Sequence, residues 1–287
     1  MQALFLSYFK RSHAVTALTN VTEGYVDVEG GRLYYEAAGE GHPLTLIHAG
    51  VADCSMWDQQ WSEFAKHFRV IRYDTRGFGR TTTQDVSFSN RQDLYDLLRH
   101  LGVDKTYLIG ISRGGQIAID FTLEHPEMVD ALIPVAAGFS GYDGEPAEEE
   151  MKLFMQMEDL WEKKEWDKLT DLEVRVWVDG FGRKGDADPW VRQRIRDMVS
   201  ANYKRNEPEG QPRVLEPPAA GRLSEIHVPT LIIVGDLDAS GTQEMADTME
   251  RDIPGATKVV FPGVAHMVNM EKPGEFTRLV IDFLTGP

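Results

Sequence analysis

Short apolar runs that alternate with helical patterns constrain the fold of this 287-residue chain more than any other feature. The runs are LTLIH (44–48), RVIRYD (69–74), TYLIG (106–110), ALIPVAA (131–137), TLIIVGD (230–236) and TKVVFPG (257–263). Strands that are apolar along their whole length are buried on both faces, as in a parallel sheet covered by helices. Segments with apolar residues at helical spacing, such as RQDLYDLLRHLG and GQIAIDFTLEHP, stand between most of the runs. We therefore predict right-handed βαβ crossovers and an α/β fold.

Two further segments complete the predicted organisation. YVDVEG and GRLYYEAAG flank Gly30-Gly31, which predicts an antiparallel β-hairpin ahead of the parallel strands. Residues 139–222 contain no strand–helix unit, begin with the acidic EPAEEE, and hold four of the six tryptophans: Trp161, Trp166, Trp177 and Trp190. We interpret 139–222 as a helical subdomain with its own small core, as a lid whose aromatic inner face lines a substrate pocket, or as both. The remaining domain is then 23–138 together with 223–287.

Charge and cysteine content restrict the partners and the compartment. The formal net charge is −16, which argues against nucleic-acid binding and against docking on an anionic membrane surface. Cys54 is the one cysteine, so no intramolecular disulfide forms and a cytoplasmic location fits. No apolar run approaches the roughly 20 residues of a membrane span. We interpret 1–22 as an appended arm that packs on the body of the protein or mediates self-association.

The stretch LIGISRGGQIAIDF predicts a nucleophilic serine. A buried strand arrives at Gly110, the chain turns within about two residues, and a helix leaves at once. Glycine at 110 and 114 removes side chains that would clash in so sharp a turn. The Ser112 hydroxyl then projects above the sheet edge, beside backbone N–H groups at the helix N-terminus. A plain Gly-Ser loop is the alternative interpretation.

A serine nucleophile requires a general base and an acid that orients the base. His266, in the loop between the last strand and the last helix, is placed best of the eight histidines to reach the carboxyl edge of the sheet. Asp236 and Asp238 both follow the strand LIIVG. We predict that Asp238 is the acid and that Asp236 turns or caps the loop.

The oxyanion that forms on attack requires two N–H donors that point at one place. We predict that one donor is the backbone N–H of Arg113, the residue after the nucleophile, and assign no chemistry to its side chain. The second donor is expected in HAGVAD, from Gly50 or Val51, with Gly50 preferred. His48 is expected to hold this turn.

Taken in order, these motifs identify a resemblance to the α/β-hydrolase family across roughly residues 24–285. They are LIHAG (46–50), RYDTRGFGRT (72–81), GISRGG (110–115), VPTLIIVGDLD (228–238) and GVAHMVNMEKPGEF (263–276). The resemblance implies a mostly parallel sheet of about eight strands with helices on both faces, and a lid at 139–222. It also implies a structural turn that contains Asp74, Arg76, Gly77 and Gly79. The chain departs from the family at Ala49, where glycine is usual in the oxyanion loop.

The predicted function is hydrolysis of carboxylic esters with small or medium acyl groups, through an acyl-enzyme. The same three side chains also serve cleavage of enol-lactones or of vinylogous C–C bonds. A third alternative is a small-molecule receptor on a hydrolase scaffold, which would keep them as well. No metal-ligand spacing and no phosphate-binding loop stand out, so no cofactor or metal is implied. Serine at position 112 disfavours haloalkane dehalogenase and epoxide hydrolase chemistry, because those relatives use a carboxylate there.

Overall fold

The structure is a computed structural model that describes residues 21–185, 187–205, 208 and 210–286. Almost all of the predicted arm, residues 1–22, therefore lies outside the described residues. Val21 and Thr22 are described, and the first strand begins at Thr22.

The strands form one large sheet and a small separate pair. The strands are β1 (Thr22–Val28), β2 (Gly31–Ala38), β3 (Pro43–Ile47), β4 (Arg69–Tyr73), β5 (Thr82–Thr83), β6 (Ser87–Phe88), β7 (Thr106–Ile111), β8 (Val129–Val135), β9 (Gln211–Pro212), β10 (Leu231–Gly235) and β11 (Thr257–Phe261). The main sheet has the order β1-β2-β4-β3-β7-β8-β10-β11, with β5 paired to β2. The pairings of β2 with β1, β4 and β5 are antiparallel, whereas β4, β3, β7, β8, β10 and β11 run parallel. The predicted α/β fold and its opening hairpin are confirmed.

Helices cover both faces of this sheet. They are α1 (Asp58–Phe64), α2 (Asn90–His100), α3 (Arg113–Glu124), α4 (Glu148–Glu162), α5 (Trp166–Val174), α6 (Pro189–Tyr203), α7 (Ser240–Asp252), α8 (Val268–Glu271) and α9 (Pro273–Thr285). Alternate residues of each central strand belong to different hydrophobic clusters. Ile109 and Ile111 pack with α1 and α9, whereas Leu108 packs with α2 and α3. Burial on both faces is the physical reason that the strands are apolar throughout.

Residues 139–222, called here the helical insertion, lie between β8 and β10 and contain α4, α5 and α6. A π-helical turn, Arg175–Asp179, extends α5. The insertion has a small cluster of its own, which includes Leu160 and Leu169. Val178 and Ile195 instead belong to the same buried cluster as the sheet residue Ile111. The insertion is therefore packed into the core of the protein as well as onto itself.

The tryptophans of the insertion do not all face inward. Trp190 is 49% exposed and Trp161 is 41% exposed. Trp166 and Trp177 are half-buried, and Trp177 contacts both the insertion and the core clusters. The aromatic inner face predicted for this segment therefore excludes Trp190. Across the described ranges, no helix is both long enough and apolar enough to cross a bilayer.

Candidate active site

Ser112 lies at a sharp turn between β7 and α3. Its backbone has φ +54° and ψ −119°, and its side chain is half-buried. A non-glycine residue at such angles is strained, and strain of this kind collects at functional sites. The surrounding structure holds the turn, because the Ser112 N–H donates to the Val135 carbonyl oxygen at 2.8 Å and Gln116 N–H donates to the Ser112 oxygen at 3.0 Å. This sharp strand–turn–helix geometry, called here the elbow, is the one that the sequence predicted at Ser112.

The glycines around Ser112 are required by close backbone approach. A Cβ atom at Gly110 would lie 2.1 Å from the Gly114 oxygen, and one at Gly114 would lie 2.5 Å from the Ile47 oxygen. A Cβ atom at Gly115 would lie 2.4 Å from the Ala137 Cβ. None of these three glycines has a positive φ. Space, and not backbone angle, therefore accounts for the sequence GISRGG.

Asp238 and His266 form a buried pair. The His266 Nδ1 atom lies 2.8 Å from Asp238 Oδ2 and 2.9 Å from Oδ1, and the two residues are 4% and 3% exposed. Asp238 Oδ1 also accepts the Ala239 N–H at 2.8 Å. Asp236 has a different partner, because its Oδ1 accepts the Gly263 N–H at 2.7 Å. The carboxylate that orients His266 is thus Asp238, and Asp236 anchors the loop that follows β11.

The three predicted catalytic side chains meet the same edge of the sheet. Ser112 follows β7, Asp238 follows β10 and His266 lies in the loop after β11, and these strands are parallel. Because the Nδ1 atom of His266 is hydrogen-bonded to Asp238, its Nε2 atom is the nitrogen that can accept a proton. Within the described chain, the Ser112 hydroxyl has no hydrogen bond to His266. Hydrogen bonds between a nucleophile and its general base tighten when substrate binds.

Trp177 covers His266. Its ring centroid lies 4.6 Å from that of the imidazole, and on its other side it stacks with Phe154 of α4 at 5.9 Å. Trp177 stands on the π-helical turn, and insertions of this type in α-helices often occur at functional sites. The helical insertion therefore reaches the proposed catalytic residues directly. The tryptophan content of the segment predicted an aromatic face that lines a pocket, but it did not indicate that Trp177 would contact His266.

The predicted oxyanion donors are neighbours. A Cβ atom at Gly50 would lie 3.4 Å from Arg113 Cδ, so the loop after β3 contacts the residue after the nucleophile. Among the described residues, neither the Gly50 N–H nor the Arg113 N–H donates to a protein acceptor. The Val51 N–H also donates to no protein acceptor among the described residues. Because Gly50 lies next to Arg113, we still prefer Gly50 as the second oxyanion donor. Ala49 does not have a positive φ, which explains why alanine is tolerated there.

His48 fixes this loop as a neutral imidazole. Its Nε2 atom accepts the Thr75 backbone N–H at 3.0 Å, so the proton is on Nδ1, which donates to the Ala49 oxygen at 2.7 Å. His48 is fully buried, and this burial lowers its pKa. Because the lowered pKa favours the neutral imidazole, the Nε2 atom of His48 carries no proton and remains a hydrogen-bond acceptor. The expected structural role of His48 agrees with these bonds.

The turn after β4 is organised by Asp74. Its carboxylate accepts the N–H groups of Cys54 at 2.8 Å and Arg80 at 2.7 Å. A Cβ atom at Gly79 would lie 2.1 Å from Asp74 Oδ2, and Gly79 has φ +52°, so only glycine fits. Arg76 is buried and pairs with Asp93 through Nε and Nη2, at 2.7 and 2.8 Å. These contacts agree with a structural role for the turn.

The Arg113 side chain is half-buried beside the site. Its guanidinium donates to Thr75 Oγ1 at 2.6 Å and to Asn90 Oδ1 at 3.3 Å, and it lies 4.8 Å from the centroid of the Phe78 ring. Burial lowers the pKa of Arg113 to about 10, so it keeps its charge near neutral pH. No feature of the sequence indicated this position for the side chain.

A cavity of about 780 Å³ lies between the helical insertion and the core. Its wall includes Gly50, Phe78 and Arg113 from the core, and Trp161, Trp166 and Tyr203 from the insertion. The cavity therefore adjoins the proposed oxyanion loop. In the described part of the chain, no three or more His, Cys, Asp or Glu side chains are grouped so that they could hold a metal ion.

Comparisons with known proteins agree with the fold. The model of the alpha/beta hydrolase fold family matches residues 42–273. The chain is 27% identical to a 2-hydroxy-6-oxononadienedioate/2-hydroxy-6-oxononatrienedioate hydrolase of Comamonas testosteroni, over 89% of this chain and 92% of that protein. It is also 27% identical to a pimeloyl-[acyl-carrier protein] methyl ester esterase of Pectobacterium carotovorum, over 88% of this chain and 98% of that protein.

A solved structure extends the likeness to three dimensions. The enol-lactonase of Burkholderia xenovorans LB400 superposes with a TM-score of 0.73 and 24% identity, over 92% of this chain and 100% of that chain. At this identity the match shows the fold alone. Because the family model spans most of the chain, the protein belongs to the α/β-hydrolase fold family.

Proposed function

We propose that the protein is a serine hydrolase that cleaves carboxylic esters of small or medium acyl groups through an acyl-enzyme. The observation that carries the proposal is the strained Ser112 turn at the sheet edge that also bears the Asp238–His266 pair. A hydroxyl at that edge, a base with its outer nitrogen available and an oriented carboxylate form the arrangement used in acyl transfer. The relatives named above include an ester hydrolase.

The proposed first half-reaction forms the acyl-enzyme. Ser112 Oγ attacks the ester carbonyl carbon while His266 Nε2 takes the hydroxyl proton. The carbonyl oxygen becomes an oxyanion that accepts the N–H groups of Arg113 and Gly50. Asp238 accepts a hydrogen bond from the Nδ1–H group of His266 and stabilises the imidazolium. The C–O bond then breaks, and His266 gives its proton to the departing alcohol.

The second half-reaction releases the acid. Water replaces the alcohol, gives its proton to His266 Nε2 and attacks the acyl carbon. The second tetrahedral intermediate uses the same two N–H donors, and its collapse returns the proton to Ser112 Oγ. Trp177 covers the imidazole on the insertion side, which limits the approach of further water to the Asp238–His266 pair.

The proposal is tested with a series of 4-nitrophenyl esters from acetate to palmitate. We expect multiple turnovers with the short and medium esters and loss of about 10⁴-fold or more in kcat for Ser112→Ala, with an unchanged melting temperature. Ser224→Ala, at an exposed serine, is the matched control and should keep the wild-type rate. Equal activity of Ser112→Ala and wild type would contradict the nucleophile assignment, and faster turnover of palmitate than of butyrate would contradict the acyl-size assignment.

A second candidate is C–C bond hydrolysis of a dienoate. It is favoured by the similarity to the Comamonas testosteroni enzyme and to a 2-hydroxy-6-oxo-6-phenylhexa-2,4-dienoate hydrolase of Burkholderia cepacia, to which the chain is 26% identical. The two functions are separated by kcat/KM for such a dienoate against kcat/KM for 4-nitrophenyl butyrate. A dienoate value larger by about tenfold or more would assign the chain to C–C hydrolysis.

A further inference from the structure

The wall of the cavity between the insertion and the core includes a cation that makes no ion pair with any described residue. Four basic residues line it: Arg76, Arg113, Lys164 and Arg205. Arg76 is neutralised by its two bonds to Asp93. The Arg113 guanidinium, in contrast, donates to the neutral oxygens of Thr75 and Asn90, and no carboxylate of the described residues lies within ion-pair distance of it.

A half-buried cation with no carboxylate at ion-pair distance is unusual. Buried charges in proteins are as a rule paired or hydrogen-bonded to opposite charges, because burial removes the water that would solvate them. A guanidinium has five N–H donors in a planar fork that matches a carboxylate. The two protein acceptors leave donors of Arg113 for a ligand at the cavity wall.

The acidic residues of the same wall offset this charge only in part. Glu162 is exposed, and Glu173 is buried, with a pKa raised to about 7 by that burial. Near neutral pH, Glu173 is therefore protonated in a large fraction of the molecules. The cavity is thus more positive than negative, although the whole chain has a formal net charge of −16.

The rest of the wall suits an apolar organic group. Five aromatic residues line the cavity: Phe78, Phe88, Trp161, Trp166 and Tyr203. Trp166 stacks on Tyr203 with ring centroids 5.3 Å apart, and Trp161 meets both rings edge-on. Aromatic walls with a few placed polar groups are typical of sites for small organic molecules.

We propose that this cavity binds ester substrates that carry a free carboxylate on an apolar body, and that the Arg113 side chain is the specificity-determining group that pairs with this carboxylate. The inference rests on the proposed ester hydrolase function and names the substrate class. Arg113 then serves the site twice, with its backbone N–H toward the oxyanion and its guanidinium toward the substrate carboxylate.

The kinetic test compares acids with their methyl esters. 4-Nitrophenyl hydrogen suberate against 4-nitrophenyl methyl suberate places the carboxylate on the acyl side. 4-Acetoxybenzoate against methyl 4-acetoxybenzoate places it on the alcohol side. We expect kcat/KM to favour the acid in at least one pair. The acid-to-ester ratio should fall about tenfold or more in Arg113→Met, because a hydrogen-bonded ion pair is lost.

Two further variants distinguish the effect of the charge at position 113 from the effect of removing any positive charge from the protein. Arg113→Lys keeps the charge and should retain part of the ratio, although it lacks the planar fork. Arg251→Met removes an exposed arginine of α7 that pairs with Asp252, and should leave the ratio unchanged. An unchanged ratio in folded Arg113→Met, or an equal fall in Arg251→Met, would overturn the proposal.

A binding measurement keeps the inference independent of turnover and of the folding of Arg113→Met. Ser112→Ala is titrated by calorimetry with monomethyl suberate, dimethyl suberate and the mixed diester of suberic acid with methanol and choline. We expect the monoacid to bind about tenfold more tightly than the diester, and its affinity to weaken as NaCl is added. Equal affinities would overturn the proposal. Tighter binding of the choline ester would also overturn it, and would assign the aromatic rings and Glu173 to a cation. If wild type turns over no ester but Ser112→Ala binds the monoacid selectively, the ester hydrolase proposal is rejected and the carboxylate site is retained.

Discussion

At the scale of single residues, small displacements along the chain decide the roles of chemically identical groups. Asp236 and Asp238 follow the same strand and carry the same carboxylate. Asp238 contacts His266, whereas Asp236 holds the Gly263 N–H. In the loop that follows β10, each of the two carboxylates therefore meets a different neighbour. The sequence placed both candidates at the correct edge, and the path of the loop distinguished them.

Glu173 leads to a prediction at the same scale. Burial raises its pKa from 4.5 to about 7, and Tyr203 donates a hydrogen bond to it. Between these values the folded state binds more protons than the unfolded state, so the contribution of Glu173 to stability falls as pH rises from about 4.5 to 7. We expect Glu173→Gln to be more stable than wild type at about pH 8, by on the order of 3 kcal/mol, and to equal it at about pH 4.

Urea unfolding of both proteins at the two pH values measures this difference. Glu162→Gln is the matched control, because Glu162 lines the same cavity but is exposed. Its difference from wild type should stay within about 0.5 kcal/mol at either pH. A stability gain of Glu173→Gln that does not depend on pH would show that the carboxylate does not titrate with a raised pKa.

At the scale of elements, the unit that carries the proposed chemistry is β7, the turn at Ser112 and α3. The turn forces the start of the helix against the end of its own strand and against β3, and this contact leaves no room for a side chain at Gly110 or Gly114. The same contact sets the Ser112 backbone at φ +54°. The glycines and the strained serine are therefore consequences of one close packing, which is the reason that they occur together in the sequence.

Gly110→Ala should destabilise this unit strongly. The added methyl group would lie 2.1 Å from the Gly114 oxygen, which is a backbone atom that cannot move aside without displacing α3. We expect a loss of about 3 kcal/mol or more in the free energy of unfolding, together with loss of esterase activity. Denaturant unfolding and the 4-nitrophenyl butyrate assay measure the two effects.

Gly241→Ala provides the control for this change. Gly241 lies in the first turn of α7, has no positive φ, and a Cβ atom there would meet nothing within 4 Å. Alanine favours helix over glycine, so this variant should be as stable as wild type or more stable by up to about 1 kcal/mol. Similar stability of Gly110→Ala and Gly241→Ala would contradict the packing explanation of the elbow.

At the scale of the whole molecule, the helical insertion and the sheet share a hydrophobic core. Val174 and Val178 of the insertion are fully buried in the cluster that contains Ile111 and Val135 from the sheet. An interface of this kind does not resemble the loosely packed boundary between two independent domains. The insertion also brings Trp177 onto His266, so its packing and the proposed catalytic site are connected.

This shared core predicts one cooperative unfolding transition. Four of the six tryptophans lie in the insertion, so tryptophan fluorescence reports mainly on that segment, whereas the far-ultraviolet circular dichroism reports on all helices and strands. We expect the two melting curves to coincide within about 2 °C. A fluorescence transition that precedes the dichroism transition would mean that the insertion unfolds separately.

The sequence by itself determined the α/β fold, the hairpin, the elbow at Ser112 and the positions of Asp238 and His266 at the ends of strands. These features were readable because they depend on local patterns: apolar runs for strands buried on both faces, and glycines where the backbone approaches itself. Only the tertiary structure decided that Trp177 covers His266, that Trp190 faces solvent, and that the Arg113 side chain lines a cavity and makes no ion pair with the described residues. Those outcomes depend on which faces of distant segments meet. The packing of the whole chain decides which faces meet, and a hydrophobic pattern over a short stretch of sequence carries no information about segments far along the chain.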